Sequence, residues 1–210
     1  MRQISKFLQI LILLIIVLLS VSCKSNGENK THHTEYESNI PESFEGILRK
    51  KKLYITSIGQ SMDMENFLVY LVFLRDEYNF EYVDDTFLEA KDVEDDSIVF
   101  VFVGCSIKAL QESGTSVESE KNRAEDFINL RNSGKIEIVS WHTGGNSRRG
   151  VTSDALIECM VKGSDLLIFA KNGNEDLFLS DIAIDNNVPL YEMEAASQVR
   201  IPLITMLGSR

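Results

Sequence analysis

The sequence predicts a three-layer α/β domain built on a mainly parallel sheet of five or six strands. Three observations lead there. From about residue 50 onward, short β-branched runs alternate with stretches of helical length, the pattern of right-handed strand–helix–strand crossovers. The run Ser97–Val103 is apolar at every position from Ile98 on, as expected of a central strand covered on both faces. Glycine, asparagine and serine punctuate the ends of these runs, where turns and caps are needed.

Taken in order, Leu53–Ile58 is a strand that stops at Gly59. Ser61 suits the N-cap of a helix running to about Glu77, with Asp63 and Glu65 favouring its dipole. Phe67, Leu68, Leu71, Val72 and Leu74 crowd one broad face of it. Phe80–Val83 reads as a short strand, and Ser97–Val103 as the central one. Thr115-x-x-Glu118 has the spacing of a capping box, opening a helix that turns Val117, Ala124, Phe127 and Ile128 inward and meets Gly134 just past its end. Ile136–Trp141 is the next strand. A helix from about Ser153 to Lys162 follows, with Leu156, Cys159 and Met160 inward and Gly163 closing it. Leu166–Ala170 is a further buried strand, Asn174 can cap a helix through Asn186, and Pro189–Met193 begins the last strand. The tail Ile201–Leu207 is apolar and fits strand, helix or docked coil equally. About 160 residues are enough for one domain with a sizeable core, of flavodoxin-like or Rossmann-like architecture.

Ahead of the domain the chain carries an address. Arg2 and Lys6 precede the unbroken apolar run Ile10–Leu19, then Ser20, Val21 and Ser22, then Cys23. This is the layout of an export signal, and the apolar run is shorter than the roughly 20 residues of a comfortable membrane span. A cysteine directly after the cleavage region is what bacterial lipoproteins carry, the alternative being an ordinary secretory signal with a coincidental cysteine or an uncleaved anchor. Residues 1–22 are therefore expected to be a lipoprotein-type signal peptide, Cys23 the lipidated residue, 23–49 a flexible polar tether and 50–210 the α/β domain. Two or more acyl chains on Cys23 would hold the protein stably on the extracytoplasmic side of the cell envelope. His32 and His33 lie in the polar stretch without partners at metal-ligand spacing, so no metal is expected.

Removing residues 1–22 takes away Arg2 and Lys6 and moves the formal charge from −11 to −13. Such a surface repels phosphate backbones, so nucleic acid is not an expected partner. Cys105 and Cys159 are the cysteines of the body, and free thiols or one disulfide are both open to them.

In an open parallel sheet, ligands bind beyond the C-terminal ends of the strands. The loops there are Gly59–Ser61, Gly104–Ser106, His142–Gly150 and Lys171–Asp176, all polar and each with glycine. The third places His142 at a strand end, then Gly144, Gly145, Arg148 and Arg149 before a helix start. Glycine lets backbone approach a ligand, helix-start N–H groups favour an anion, and arginine matches carboxylate or phosphate. Gln60, Ser61, His142, Gly144, Gly145, Arg148, Arg149, Asn174 and Glu175 are the candidate ligand-binding residues. Glu175 and Asp176 equally suit the first turn of a helix through its dipole. No GxGxxG, phosphate loop, nucleophile elbow or zinc spacing occurs, and no cofactor is expected.

Ile55–Ser61, Thr115–Glu118, the loop His142-x-Gly-Gly-x-x-Arg-Arg-Gly150 and Gly173–Asp176 together resemble a family of exported bacterial proteins catalogued as domain of unknown function 6305. The resemblance spans roughly residues 52–195 and implies a single α/β domain behind a signal peptide. It brings no activity, substrate or catalytic residue. Three functions stay open on the residues. The first is capture of a small anionic or polar ligand beside a membrane-protein partner. The second is a hydrolase or transferase acting on a glycosidic or phosphate bond through Glu175 or His142. The third is a protein-binding accessory, which needs an exposed apolar patch.

Overall fold

Lys52–Ile58 (β1), Tyr82–Asp84 (β2), Ser97–Val103 (β3), Ile136–His142 (β4), Leu166–Ala170 (β5) and Leu190–Met193 (β6) pair in one all-parallel sheet of order β2-β1-β3-β4-β5-β6. The computed structural model describes residues 36–208. This is the flavodoxin-like order with a sixth strand added. Register runs unbroken along the middle of the sheet, from Lys52↔Ser97 to Ile58↔Val103 and from Ser97↔Ile136 to Phe102↔Trp141.

β3 is buried along its whole length, and its two faces feed two cores. Strand side chains alternate, so Ile98, Phe100 and Phe102 enter one layer and Val99, Val101 and Val103 the other. The first layer is covered by Asp63–Tyr78 (α1) and Arg200–Leu207 (α6). Its centre is aromatic: Phe67 of α1 lies 4.7 Å from Phe102 and 5.1 Å from Trp141 between ring centroids. The second layer is covered by Val117–Asn132 (α3), Val151–Lys162 (α4) and Phe178–Asp185 (α5). A short helix, Ile107–Ser113 (α2), follows β3 and has no counterpart in the sequence reading.

Several boundaries differ from expectation. α1 starts at Asp63 with Met62 as N-cap rather than Ser61, because Gln60 takes a left-handed φ of 59° and Ser61 donates its N–H to Ser57 Oγ at 2.7 Å. Val72 is 41 % exposed instead of facing the core. The capping box is Ser116 with Ser119, one residue later than Thr115 and Glu118, since Ser116 is the last extended residue before the helix. The tail is helical. Pro202 falls in its first turn, where the missing N–H has no partner to lose.

The polar stretch expected to reach residue 49 as a tether joins the fold earlier. Phe44, Ile47 and Leu48 are buried against α6, and Arg49 Nε donates to Leu207 O at 2.6 Å. Upstream, Asn39 N–H donates to Leu190 O at 3.1 Å and Ser38 Oγ accepts Glu192 N–H at 2.8 Å. These bonds satisfy the open edge of β6. Four apolar residues in an otherwise polar run, Ile40, Phe44, Ile47 and Leu48, are enough to anchor it. The signal segment, Cys23, His32 and His33 lie outside the described residues. No helix among the described residues is long and apolar enough to cross a membrane.

Candidate functional site

The strand order puts the topological switch point between β1 and β3, whose helices leave to opposite faces. Here that seam is closed. Gly104 N–H donates to Ile58 O at 3.1 Å and Ser106 N–H to Gly59 O at 2.9 Å, continuing the ladder past the strand ends. Gly59 has φ +84°, and a β-carbon there would press on Gly104 O and lie 2.7 Å from Leu156 Cδ1, so only glycine fits. Beneath the seam Glu120 of α3, 1 % exposed, accepts Gly59 N–H at 2.7 Å and pairs with Arg123 at 2.6 Å. Arg123 also donates to Leu88 O at 3.1 Å, to Thr56 Oγ1 at 3.2 Å and to Ser57 O. A buried charge pair is tolerable when its remaining donors and acceptors are met in this way. Gln60, 3.4 Å from Glu120 Oε1, and Ser61 are each only 7 % exposed and belong to the seam.

The loops after β4 and β5 are stapled together. His142 is 1 % exposed; its Nδ1–H donates to Val103 O at 3.0 Å and its Nε2 sits 3.4 Å from Gly145 O. Both ring nitrogens therefore face backbone carbonyls. Gly145 has φ +63° and packs against the Asn172 side chain. Arg149, with a side chain 9 % exposed, donates to Asp154 Oδ1 at 2.6 Å, Gly173 O at 2.6 Å and Asp176 Oδ2 at 3.1 Å, and stacks 4.2 Å above Phe178. Burial works to lower the Arg149 pKa, but the hydrogen bonds it donates to Asp154 and Asp176 outweigh that and raise it. Burial likewise works to raise the Asp176 carboxyl, and the Arg149 hydrogen bonds win and lower it. Asn146 Nδ2 donates to Glu175 Oε2 at 2.6 Å across the same two loops. The N-cap of α5 is Leu177, not Asn174 as expected; Asn174, 3 % exposed, reaches the first turn from three residues upstream, its Oδ1 accepting Leu179 N–H at 2.9 Å and Ser180 N–H at 3.1 Å. Cys105 and Cys159 are free, half-buried thiols, both pushed up first by burial.

Arg148 is different. It is exposed and its guanidinium makes no hydrogen bond or ion pair among the described residues, one position away from the fully engaged Arg149. It lines a crevice of about 500 Å³ between the first turns of α1, the loop after β4 and the turn Ala196–Val199. Asp63, Asn66, Tyr70, Thr143, Gly144 and Ser147 share that lining, with Phe67, Val69 and Val199 as the apolar wall. The volume falls in the range of small-molecule sites. The structure thus brings Gly144 and Arg148 of the candidate residues to the crevice, and places Gln60, Ser61, His142, Gly145, Arg149, Asn174 and Glu175 in the seam or the loop staple. Asp63, Asn66 and Tyr70 carry no motif. The signal available is spacing, since 63, 66, 67 and 70 fall on one helical stripe facing the loop after β4.

Fold and crevice together define an all-parallel α/β domain of flavodoxin-like order with a polar, cation-bearing pocket at the C-terminal edge of its sheet. The chain belongs to the family described as domain of unknown function (DUF6305), whose model matches residues 50–207. No curated protein matches it.

Proposed function

We propose that the protein is a lipid-anchored extracytoplasmic protein whose α/β domain captures a small anionic or polar ligand at the C-terminal edge of its sheet. Arg148 carries this reading: an unpaired guanidinium lines a crevice, while its neighbour Arg149 is neutralised by two carboxylates. In a chain with eleven more formal negative than positive charges, a cation left without a partner is available to a ligand. Residues 2–22 and Cys23 support export and anchoring by acyl chains.

A thermal-shift screen of the purified protein against anionic metabolites, wild type beside Arg148→Ala, tests the site. A ligand at a hundred times its dissociation constant adds about 2.7 kcal/mol of stability, which raises Tm by about 5–10 °C in a domain of this size. If no compound stabilises the wild type, or Arg148→Ala responds equally, the site is wrong.

One observation favours a second reading, a protein-binding accessory beside a membrane partner. Val69, Tyr70, Val72 and Phe73 form an exposed apolar stripe on α1, Phe73 with 70 % of its surface open. A screen without ligands leaves this reading in place.

A further inference from the structure

The crevice holds a second charge that an anion alone does not use. Asp63, the first residue of α1, is only 5 % exposed, and its Oδ2 has no hydrogen-bond partner among the described residues. Its neighbour across the crevice is Arg148. A β-carbon at Gly144 would lie 2.8 Å from Asp63 Oδ2 and 2.8 Å from Arg148 Cβ, so the two side chains flank the same glycine. They form no ion pair there. A desolvated carboxylate oxygen without a donor is unfavourable, and buried polar atoms in native proteins nearly always have one. Any N–H or O–H group satisfies such an oxygen, a cationic one most strongly, and the open guanidinium favours an anion.

Resting on the ligand-site reading above, we propose that the crevice takes a zwitterion, with an ammonium group on Asp63 and a carboxylate or phosphate on Arg148. Phe67, Val69, Tyr70 and Val199 receive an apolar substituent, while Thr143 and Ser147 add hydroxyl groups on the polar side. Gly144 allows the close approach of these side chains, since a β-carbon there would overlap the Arg148 Cγ and press on Asp63 Oδ2. Two sources share this chemistry, free α-amino acids with apolar side chains and ethanolamine phosphate headgroups.

Isothermal titration calorimetry on the purified full chain separates them. The probes are L-leucine, L-phenylalanine and O-phosphoethanolamine, each beside its ammonium-free analogue: 4-methylpentanoate, 3-phenylpropanoate and ethyl phosphate. At least one zwitterion is expected to bind about tenfold or more tighter than its analogue, the effect of one charged hydrogen bond. Asp63→Asn should abolish that preference while keeping the weaker binding of the analogue. Arg148→Met should remove both. Preference for O-phosphoethanolamine identifies the headgroup, and preference for the amino acids the free metabolite. Equal binding of zwitterion and analogue, or a preference that survives Asp63→Asn, overturns the zwitterion and leaves an Arg148-dependent anion site standing. Binding by none of the six probes also overturns it, and the metabolite screen then decides the anion site separately.

Discussion

Replacing Glu120 by alanine should open the seam between β1 and β3 and expose how much the buried pair supports the fold. The variant removes the acceptor of Gly59 N–H at 2.7 Å and the partner of Arg123 at 2.6 Å. Arg123 then keeps its charge with a side chain only 11 % exposed, facing the Leu88 and Ser57 carbonyls and the Thr56 hydroxyl. Removing one partner of a buried pair costs about 3–5 kcal/mol. The carbonyls still facing Arg123 place the expected loss at the lower end, about 3 kcal/mol. For a domain of this length that lowers Tm by about 6–12 °C. Urea unfolding followed by circular dichroism measures it, with Glu125→Ala on the exposed side of the same helix as the control, expected within about 0.5 kcal/mol. Glu120→Ala/Arg123→Met removes the orphaned charge as well, so it should lose less than the two single variants added together. A loss below about 1 kcal/mol for Glu120→Ala, or strict additivity in the double variant, refutes the role given to the pair.

Three further outcomes follow from the same geometry. Arg149→Ala should destabilise by about 2–3 kcal/mol, because the buried Gly173 carbonyl loses a charged donor, whereas Arg148→Ala should stay within about 0.5 kcal/mol; equal unfolding midpoints contradict the division of labour. Tyr36 is pushed up to about 12, first by burial and then by its hydrogen bond to Glu192 at 2.5 Å. With the folded value raised, its contribution to stability is complete below the ordinary tyrosine value of about 10 and disappears as pH climbs to about 12. The 295 nm absorbance difference between wild type and Tyr36→Phe should be centred well above 10, and a midpoint at 10 contradicts it. Cys23→Ala should move the protein from the membrane to the soluble extracytoplasmic fraction, and unchanged membrane partition removes the lipid anchor.

The sheet was legible because its strands are buried on both faces. Continuous apolarity at Ile98–Val103 and Leu166–Ala170 marks such strands by itself, and both were located to the residue. The caps of α1 and α3 were legible to within a residue and that of α5 only to within three, since neighbouring polar residues compete: Thr115, Ser116 and Ser119 all suit a helix start, and only the extended backbone of Ser116 decides among them. The arginine pair shows where sequence stops. Arg148 and Arg149 are chemically identical neighbours, and their fates separate only because the second meets Asp154 and Asp176 from two other elements. Asn174 likewise suits a loop and a cap alike, and its bonds to Leu179 and Ser180 N–H come from a turn that puts Leu177 at the N-cap, which spacing does not encode. Asp63 explains itself as a dipole partner at a helix start. Its unmet oxygen is a property of what packs around it, which no local spacing encodes.

Closing the seam determines where a ligand can sit. In a parallel sheet whose first and third strands part at their C-terminal ends, the gap between them is the natural cleft. Here Gly59 and Gly104 bring those ends into contact, and the Glu120–Arg123 pair fills the space on the α3 side. The opening that remains is on the other face, where α1 starts beyond the inward-turned Gln60 and Ser61 and the loop after β4 rises opposite it. Phe67 of its lining packs from behind on Phe102 and Trp141, and the loop that carries Arg148 is held by Arg149. The groups left unpaired by that scaffold, Asp63 and Arg148, are therefore presented on fixed elements, which is the condition for binding without a large ordering penalty. Loosening the staple through Arg149→Ala should then weaken any ligand held by Arg148 without touching it, so the two arginines, separate in contact, remain coupled through the loop between them.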